Sequence, residues 1–469
     1  MVEMSQDFKI PLWGAERLID IYNLDTEQKN QIFHEFEKFK PPASVRKFIK
    51  EITKRTEFPE DLLQNFFWLS SDLYAAFLEY NTPFSEYFKD NIRSPIENNY
   101  PELNKRINNF SDFETLISRM VNLIDFEYYE VSSIEDINQI NIGFSNIVRL
   151  YLFTIKDKYV LIDAGYSMKY WQKAFYKALN DLNTKIEDID YCIITHEHPD
   201  HVGLVKTLKE ANPEIKIGMH KIAYELAKLR EELSKKTNIE EQVKERTKLF
   251  LSLGIQKEEV EIMIQRLGGG GMNFEYVQPN LLLKNNDRIV DGELQIIHSP
   301  GHSVGHICIY YTKKGILFSG DHILSNITPH LGTLVIPAAE EFNKKNNFEN
   351  ILDHYLKSLD KIDNLNPRII LPGHEEIIYD PHERITAIKN HHQNRLYDIS
   401  RIILNNPSTP LEIAFSHFGD DLDQMNKVLA ISETLVHLDY LELQNKVFKK
   451  LEDNILLYWS EKLWEKIEY

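Results

Sequence analysis

Two cysteines in 469 residues, Cys192 and Cys308, leave nothing from which to build a disulfide framework. Each sits inside an apolar run, and a reducing, cytoplasmic setting fits. Nowhere do about 18 uncharged apolar residues follow one another, so no membrane span is expected and the chain reads as soluble. Residues 1–18 carry acidic and polar side chains where a secretory leader needs a basic start and an apolar stretch, so no export signal is read. Positive charge is in deficit: 54 Lys and Arg against 72 Asp and Glu give a formal net charge of −18. Phosphate binding needs a field of basic side chains, so a nucleic-acid partner is disfavoured and a small-molecule substrate favoured; a local basic groove stays compatible with this balance. Internal repeats are lacking too, and glycine concentrates only in the run Gly268-Gly269-Gly270-Gly271.

Domains usually span about 100–200 residues, so a chain of this length is expected to hold two or three. Over residues 1–125 apolar side chains recur at helical spacing (Leu62, Phe66, Phe67, Leu69, Leu73, Phe77), with Pro41, Pro59 and Pro83 at helix starts. That segment is expected to be a helical N-terminal extension without chemistry of its own. Residues 126–382 change to an α/β texture, with strands expected at 147–155, 159–163, 191–195, 215–219, 294–298, 307–311, 316–319 and 369–371. The turn Lys156-Asp157-Lys158 joins two of them as a hairpin, so the sheet must be mixed. A charged helical stretch at about 221–272, ending in the glycine run, reads as an insertion able to cover a site. From 383 to 469 three helical patterns (385–404, 411–418, 424–438) precede a closing hairpin expected over Tyr440 to Trp459, the order of a winged-helix-like domain.

The chemistry concentrates in loops that follow strands. The strand ending at Thr195 runs into His196-Glu-His198-Pro-Asp200-His201-Val-Gly203, which places four metal-capable side chains on one strand-to-helix loop. Imidazole and carboxylate donors suit zinc and related divalent ions. Three further turns, Ser299-Pro-Gly-His302, Ser319-Gly-Asp321 and Leu371-Pro-Gly-His374, each put a donor just beyond a strand end, where α/β proteins gather functional loops.

At these residues the sequence resembles the metallo-β-lactamase superfamily, of the glyoxalase II and β-lactamase-like endoribonuclease type. The resemblance implies an αββα sandwich. It further implies that His196, His198 and His302 hold one divalent ion, that Asp200, His201 and His374 hold a second, and that Asp321 bridges them. Zn2+ is the ion expected, with Fe or Mn as alternatives. Asp163, in Leu161-Ile-Asp163-Ala-Gly165, resembles the superfamily's first motif, where an aspartate ties loops together. Two departures narrow the choice: His198 stands where diiron flavoprotein members carry a carboxylate, and Asp321 where antibiotic-hydrolysing members of the commonest class carry Cys. The glutathione-binding pattern of glyoxalase II is not found after Gly320-Asp321.

Other histidines divide by context. His306 and His322 are expected to support the metal ligands, with proton donation as the alternative. His220 and His330 divide between substrate contact and packing, and His391 and His392 are expected to be solvated. Two ions close together lower the pKa of a shared water to about 7 and so supply hydroxide. Catalytic roles fall to Asp200 and Asp321. The resemblance thus points to a binuclear hydrolase of a thioester or ester of a small acyl substrate. Its alternatives are an endoribonuclease or phosphodiesterase, which the C-terminal region resembles, and a mononuclear-iron sulfur dioxygenase. Asp420, Asp421 and Asp423 precede the candidate recognition helix and would repel phosphate, against the nuclease.

Overall fold

The computed structural model describes residues 129–142, 148–167, 169–235, 239–261, 276–332, 337–422 and 424–467. The expected N-terminal helices, the glycine run and Asp423 lie outside these residues. The chain divides into two units, and the one that carries the site comprises Tyr129–Ser167 and Ala174–Tyr469.

A seven-stranded sheet is laid out in chain order: β1 (Tyr129–Ile134), β2 (Ile137–Ile142), β3 (Val148–Ile155), β4 (Lys158–Ile162), β5 (Ile189–Ile193), β6 (Lys216–His220) and β7 (Leu281–Leu283). β1 to β4 are antiparallel, and β4 to β7 run parallel. Glu135 and Asp136 join β1 to β2 with φ of 50° and 64°, the left-handed pair that a two-residue hairpin turn requires. The second sheet holds β8 (Arg288–Ile289), β9 (Leu294–His298), β10 (Ile307–Tyr311), β11 (Ile316–Gly320) and β12 (Ile369–Pro372), in the order β12-β11-β10-β9-β8. Both β9 and β11 are antiparallel to β10, and β12 is parallel to β11, so β9, β11 and β12 point one way.

Strand alternation sorts the apolar residues of the second sheet onto two faces. Ile296, Ile307, Ile309, Ile316, Phe318, Ile369 and Leu371 face Tyr151, Phe153, Val160, Ile162 and Ile193 of the first sheet. Phe153 stacks on Phe318 with ring centroids 5.2 Å apart, joining the layers. The intervening residues Ile297, Cys308, Leu317 and Ile370 turn outward into a second core shared with helices.

The helices of known extent are α1 (Lys169–Asp181), α2 (Pro199–Val202), α3 (Val205–Ala211), α4 (Lys221–Lys235), α5 (Ile239–Ser252), α6 (Pro337–Lys345), α7 (Ile351–Asn364), α8 (Pro381–Ile402), α9 (Pro410–Phe418) and α10 (Gln424–Leu443). Helix starts are written locally. Asp380 accepts from the Glu383 amide ahead of α8, and Thr409 forms a capping box with Glu412 ahead of α9, with proline at the first helical position in both. A hairpin of β13 (Phe448–Glu452) and β14 (Ile455–Trp459) follows α10. The helix runs on to Leu443, so the expectation that the hairpin region begins near Tyr440 is corrected; Val436, Leu438, Tyr440 and Leu441 keep helical spacing in the core.

One apolar cluster joins Leu317 and Ile370 of the second sheet to Leu352, Tyr355 and Leu359 of α7, Ile385 and Leu396 of α8, Ile413 of α9, Leu438 of α10 and Tyr458 of β14. No helix among the described residues is long and apolar enough to cross a membrane.

Candidate metal centre

All seven candidate ligands lie just beyond β5, β9, β11 and β12, Asp200 and His201 in the one-turn helix α2 and the others in loops, and they meet at one edge of the sandwich. His196 Nε2 lies 2.9 Å from His198 Nδ1, and His302 Nε2 lies 2.9 Å from the same atom. Beside this trio, His374 Nε2 is 3.3 Å from Asp200 Oδ2, and His201 Nε2 is 3.8 Å from it. Asp321 stands between the sets: Oδ1 is 3.4 Å from His201 Nε2, while Oδ2 is 3.5 Å from both His302 Nε2 and His374 Nε2.

Hydrogen bonds on the far side of the rings fix which nitrogen carries a lone pair. Asp163 accepts from the Thr195 amide at 2.7 Å and, through its other oxygen, from Thr195 Oγ1 at 2.9 Å and His201 Nδ1 at 2.8 Å. A carboxylate only accepts, so His201 Nδ1 carries a hydrogen, and in the neutral ring that a metal ligand requires its Nε2 is the bare donor atom. The Thr195 hydroxyl has spent its one hydrogen on Asp163, so at 3.0 Å it accepts from His196 Nδ1, and His196 Nε2 is bare as well. His302 Nδ1 lies 2.9 Å from the His330 carbonyl, which can only accept, and that leaves His302 Nε2 bare.

Bare nitrogens that converge cannot satisfy one another. A hydrogen on His198 Nδ1 could serve either His196 or His302 but not both, and buried His201 Nε2 and Asp321 Oδ1 find no hydrogen-bond partner among the described residues. A cation in each set resolves the conflict, so this donor set fits divalent ions. The electrostatics agree. Burial works against charge on Asp321, yet His374 and His201 hold its carboxyl well below the usual range. Burial likewise opposes charge on His374, but Asp321 and Asp200 raise it to about 10, so the carboxylates call for positive charge at their centre. His196, deprived of water, is driven well below its ordinary value and is neutral, as a ligand must be.

Two glycines make the approach of these loops feasible. A Cβ on Gly320, whose φ is +48°, would lie 2.7 Å from His306 Nε2 and Thr195 Oγ1; one on Gly373 would lie 2.8 Å from Asp321 Oδ1.

The remaining candidates fall around this centre. His306 Nε2 accepts the Asp321 amide at 3.2 Å, while its Nδ1 faces Ser299 Oγ at 3.1 Å, so the ring braces the loop that carries Asp321. His322 is fully buried with its ring edge-on to Tyr355, centroids 4.8 Å apart. His330 contributes its carbonyl to His302 and sets its ring beside Glu433, with Nδ1 3.8 Å from Oε2. His220 stacks on His298 at 4.1 Å. His392, expected to be solvated, is instead buried and 3.0 Å from His437 Nε2, because the face of α8 that carries it packs on α10.

Sequence reasoning passed over Glu197, read as the spacer between two histidines, although its side chain is buried. Glu197 Oε2 accepts from Ser303 Oγ at 2.7 Å, and Oε1 is 3.6 Å from Arg230 Nη2. Arg230 reaches in from α4 to 3.3 Å from His198 Nε2 with its side chain 43% exposed, and Tyr276 donates to the Glu197 carbonyl at 2.9 Å. An acidic residue inside a histidine loop is a readable signal for Glu197. Nothing local marks Arg230, whose place depends on how the insertion folds.

Residues 145–374 match the profile of the Metallo-beta-lactamase superfamily. A probable metallo-hydrolase, YqjP, of Bacillus subtilis is 26% identical over 308 residues, covering 65% of this chain and 91% of the relative. An acyl-coenzyme A thioesterase of Homo sapiens, MBLAC2, is 47% identical over 47 residues, 10% of this chain and 17% of that one. The crystal structure of a metallo-beta-lactamase family protein from Thermus thermophilus superposes with a TM-score of 0.55 at 24% identity, over 70% of this chain and 99% of the other. With the sandwich, the histidines and aspartates at its strand ends and these matches together, residues 145–374 form a domain of the metallo-β-lactamase superfamily, whose relatives include a probable metallo-hydrolase.

Proposed function

We propose that the chain hydrolyses an acyl thioester at a centre of two divalent metal ions, Zn2+ in the first instance, held by His196, His198 and His302 on one side and by Asp200, His201 and His374 on the other, with Asp321 shared. The observation that carries this reading is the position of Asp321, whose two oxygens lie within 3.4–3.5 Å of donor nitrogens from both sets. Such ions lower the pKa of bound water to about 7 and so supply hydroxide at neutral pH. Asp200, whose Oδ2 lies 3.3 Å from His374 Nε2, would accept a hydrogen bond from the nucleophile and hold it in line. Arg230, half exposed beside His198, offers the guanidinium that an anionic leaving group such as a phosphorylated thiol would meet. The stretch of 47 residues shared with the human acyl-coenzyme A thioesterase favours the thioester among acyl substrates.

In place of a nucleic-acid-reading module, we read the C-terminal helices and hairpin as a winged-helix-like support packed on the catalytic sandwich. Val428, Ile431, Glu433, Thr434, Val436, His437, Leu438 and Leu441 of α10 are buried, which leaves that helix little face to lay in a groove. Assay of the zinc-loaded protein on acyl-coenzyme A, glutathione thioesters, lactones, bis-aryl phosphodiesters and single-stranded RNA decides the matter. Release of free thiol is the expected result. Cleavage confined to phosphodiesters or RNA would overturn the reading, as would a single iron per chain with oxygen consumed on a persulfide.

A further inference from the structure

His302 differs from the other candidate ligands in what stands behind it. His196 and His201 are backed by Thr195 and Asp163 from the sandwich itself, whereas His302 Nδ1 is backed by the carbonyl of His330, 28 residues away in an irregular loop. A loop carbonyl fixes a ring only as well as the loop is fixed. The next residue supplies the anchor: the Leu331 amide donates to Glu433 Oε2 at 3.4 Å, and His330 Nδ1 lies 3.8 Å from the same oxygen.

Glu433 belongs to α10 and is itself held. Arg395 of α8 donates to Glu433 Oε1 at 2.6 Å, packs its guanidinium over Phe418 with 5.1 Å to the ring centroid, and points Nε at His417 Nε2 at 3.4 Å. Both partners are buried, with side chains 13% and 9% exposed, so their charges are paired where water scarcely screens them. Gly332 closes the anchored segment at φ +103°, and a Cβ there would fall 2.7 Å from Ser432 Oγ of α10.

We infer that the Arg395–Glu433 ion pair positions metal ligand His302: it pins the His330–Leu331 peptide, whose carbonyl sets the ring's hydrogen on Nδ1 and aims Nε2 at His196 and His198. The helices after the catalytic sandwich are thereby part of the metal centre. This inference rests on the metal reading of the site, and neither residue touches substrate or metal.

The test is cobalt(II) binding to the full chain, followed by its visible d–d bands and by chelator competition, in a His374→Ala background where only the His196/His198/His302 set is complete. Glu433→Gln keeps size and one acceptor oxygen but removes the charge that orders Arg395. It should stay folded and bind cobalt about 10–100-fold more weakly with altered bands, the usual scale for loss of a partner that orients a ligand. Glu433→Asp, which restores the charge, should recover part of the affinity. Unchanged affinity and bands in folded Glu433→Gln would overturn the inference and leave the metal reading standing. Absence of cobalt binding by the unsubstituted chain would overturn both. Should Glu433→Gln fail to fold, Arg395→Lys carries the same comparison, and loss of fold in both variants would make the pair purely structural and overturn the positioning role.

Discussion

Asp163 takes three hydrogen bonds within 2.9 Å, and two of them dictate tautomers: His201 directly and His196 through Thr195. Asp163→Asn keeps the shape but can turn an amide hydrogen toward His201 Nδ1, which then has to accept and places its own hydrogen on Nε2, where the metal is needed. Affinity for zinc should fall about 10–100-fold, measured by competition with a chromophoric chelator, while far-UV circular dichroism stays unchanged. Undiminished zinc affinity would refute the tautomer argument. Asp163 and the seven candidate ligands were legible in the sequence because each follows a strand in a short motif. Glu197 and the role of the His330 carbonyl were not, since the first reads as a spacer and a carbonyl leaves no trace in residue type.

At the scale of elements, α4 and α10 each make a separate prediction. Arg230 is the contribution of α4 to the rim, and Arg230→Met keeps much of the aliphatic stem while removing the charge. For an acyl-coenzyme A substrate KM should rise roughly tenfold, about the worth of one charge-assisted hydrogen bond, with metal content unchanged. An unchanged KM would remove Arg230 from substrate recognition.

On α10, burial pushes the Asp439 carboxyl up to about 7, against the opposing pull of Lys449. An unfolded Asp titrates near 3.9, so between about pH 4 and 7 the folded chain holds this proton more firmly than the unfolded one, and stability falls as pH rises through that window. Asp439→Asn removes the titration. The variant should match the parent near pH 4 and exceed it at pH 8 by on the order of 1–3 kcal/mol, read as a higher midpoint in urea unfolding. A difference independent of pH would contradict the assignment. The strands were readable as short β-rich runs and the C-terminal helices from their apolar spacing, but the end of α10 was not: Tyr440 and Leu441 suit strand and helix alike, and tertiary packing on Trp464, 5.9 Å from Tyr440, settles the choice.

Across the whole unit, the catalytic sandwich and the last three helices share one core. Ending the chain at residue 380 would uncover Leu352, Tyr355, Leu356, Leu359 and Ile370, which pack with Ile385, Ile388 and Leu396. Each buried side chain of this kind is worth about 1.5–3 kcal/mol, against a total stability of about 5–15 kcal/mol for a typical domain. The shortened chain should therefore lose near-UV circular dichroism and bind a hydrophobic dye, even though every candidate ligand lies before the cut. A cooperative melting transition at the parental temperature would show that the sandwich stands alone.

Short-range information in the chain determined the strand and helix pattern, the α/β character and the choice of the seven candidate metal donors, because each is set by residues within a few positions of one another. Only the tertiary structure decided which ring nitrogen of His196, His201 and His302 faces the candidate centre, that Arg230 and Glu197 meet beside His198, and that Glu433 and Arg395 stand behind His302. Those facts depend on groups far apart in the chain, Leu331 and Glu433 at 102 residues among them, being brought together by the packing of sheets and helices, and no local pattern encodes a contact of that kind.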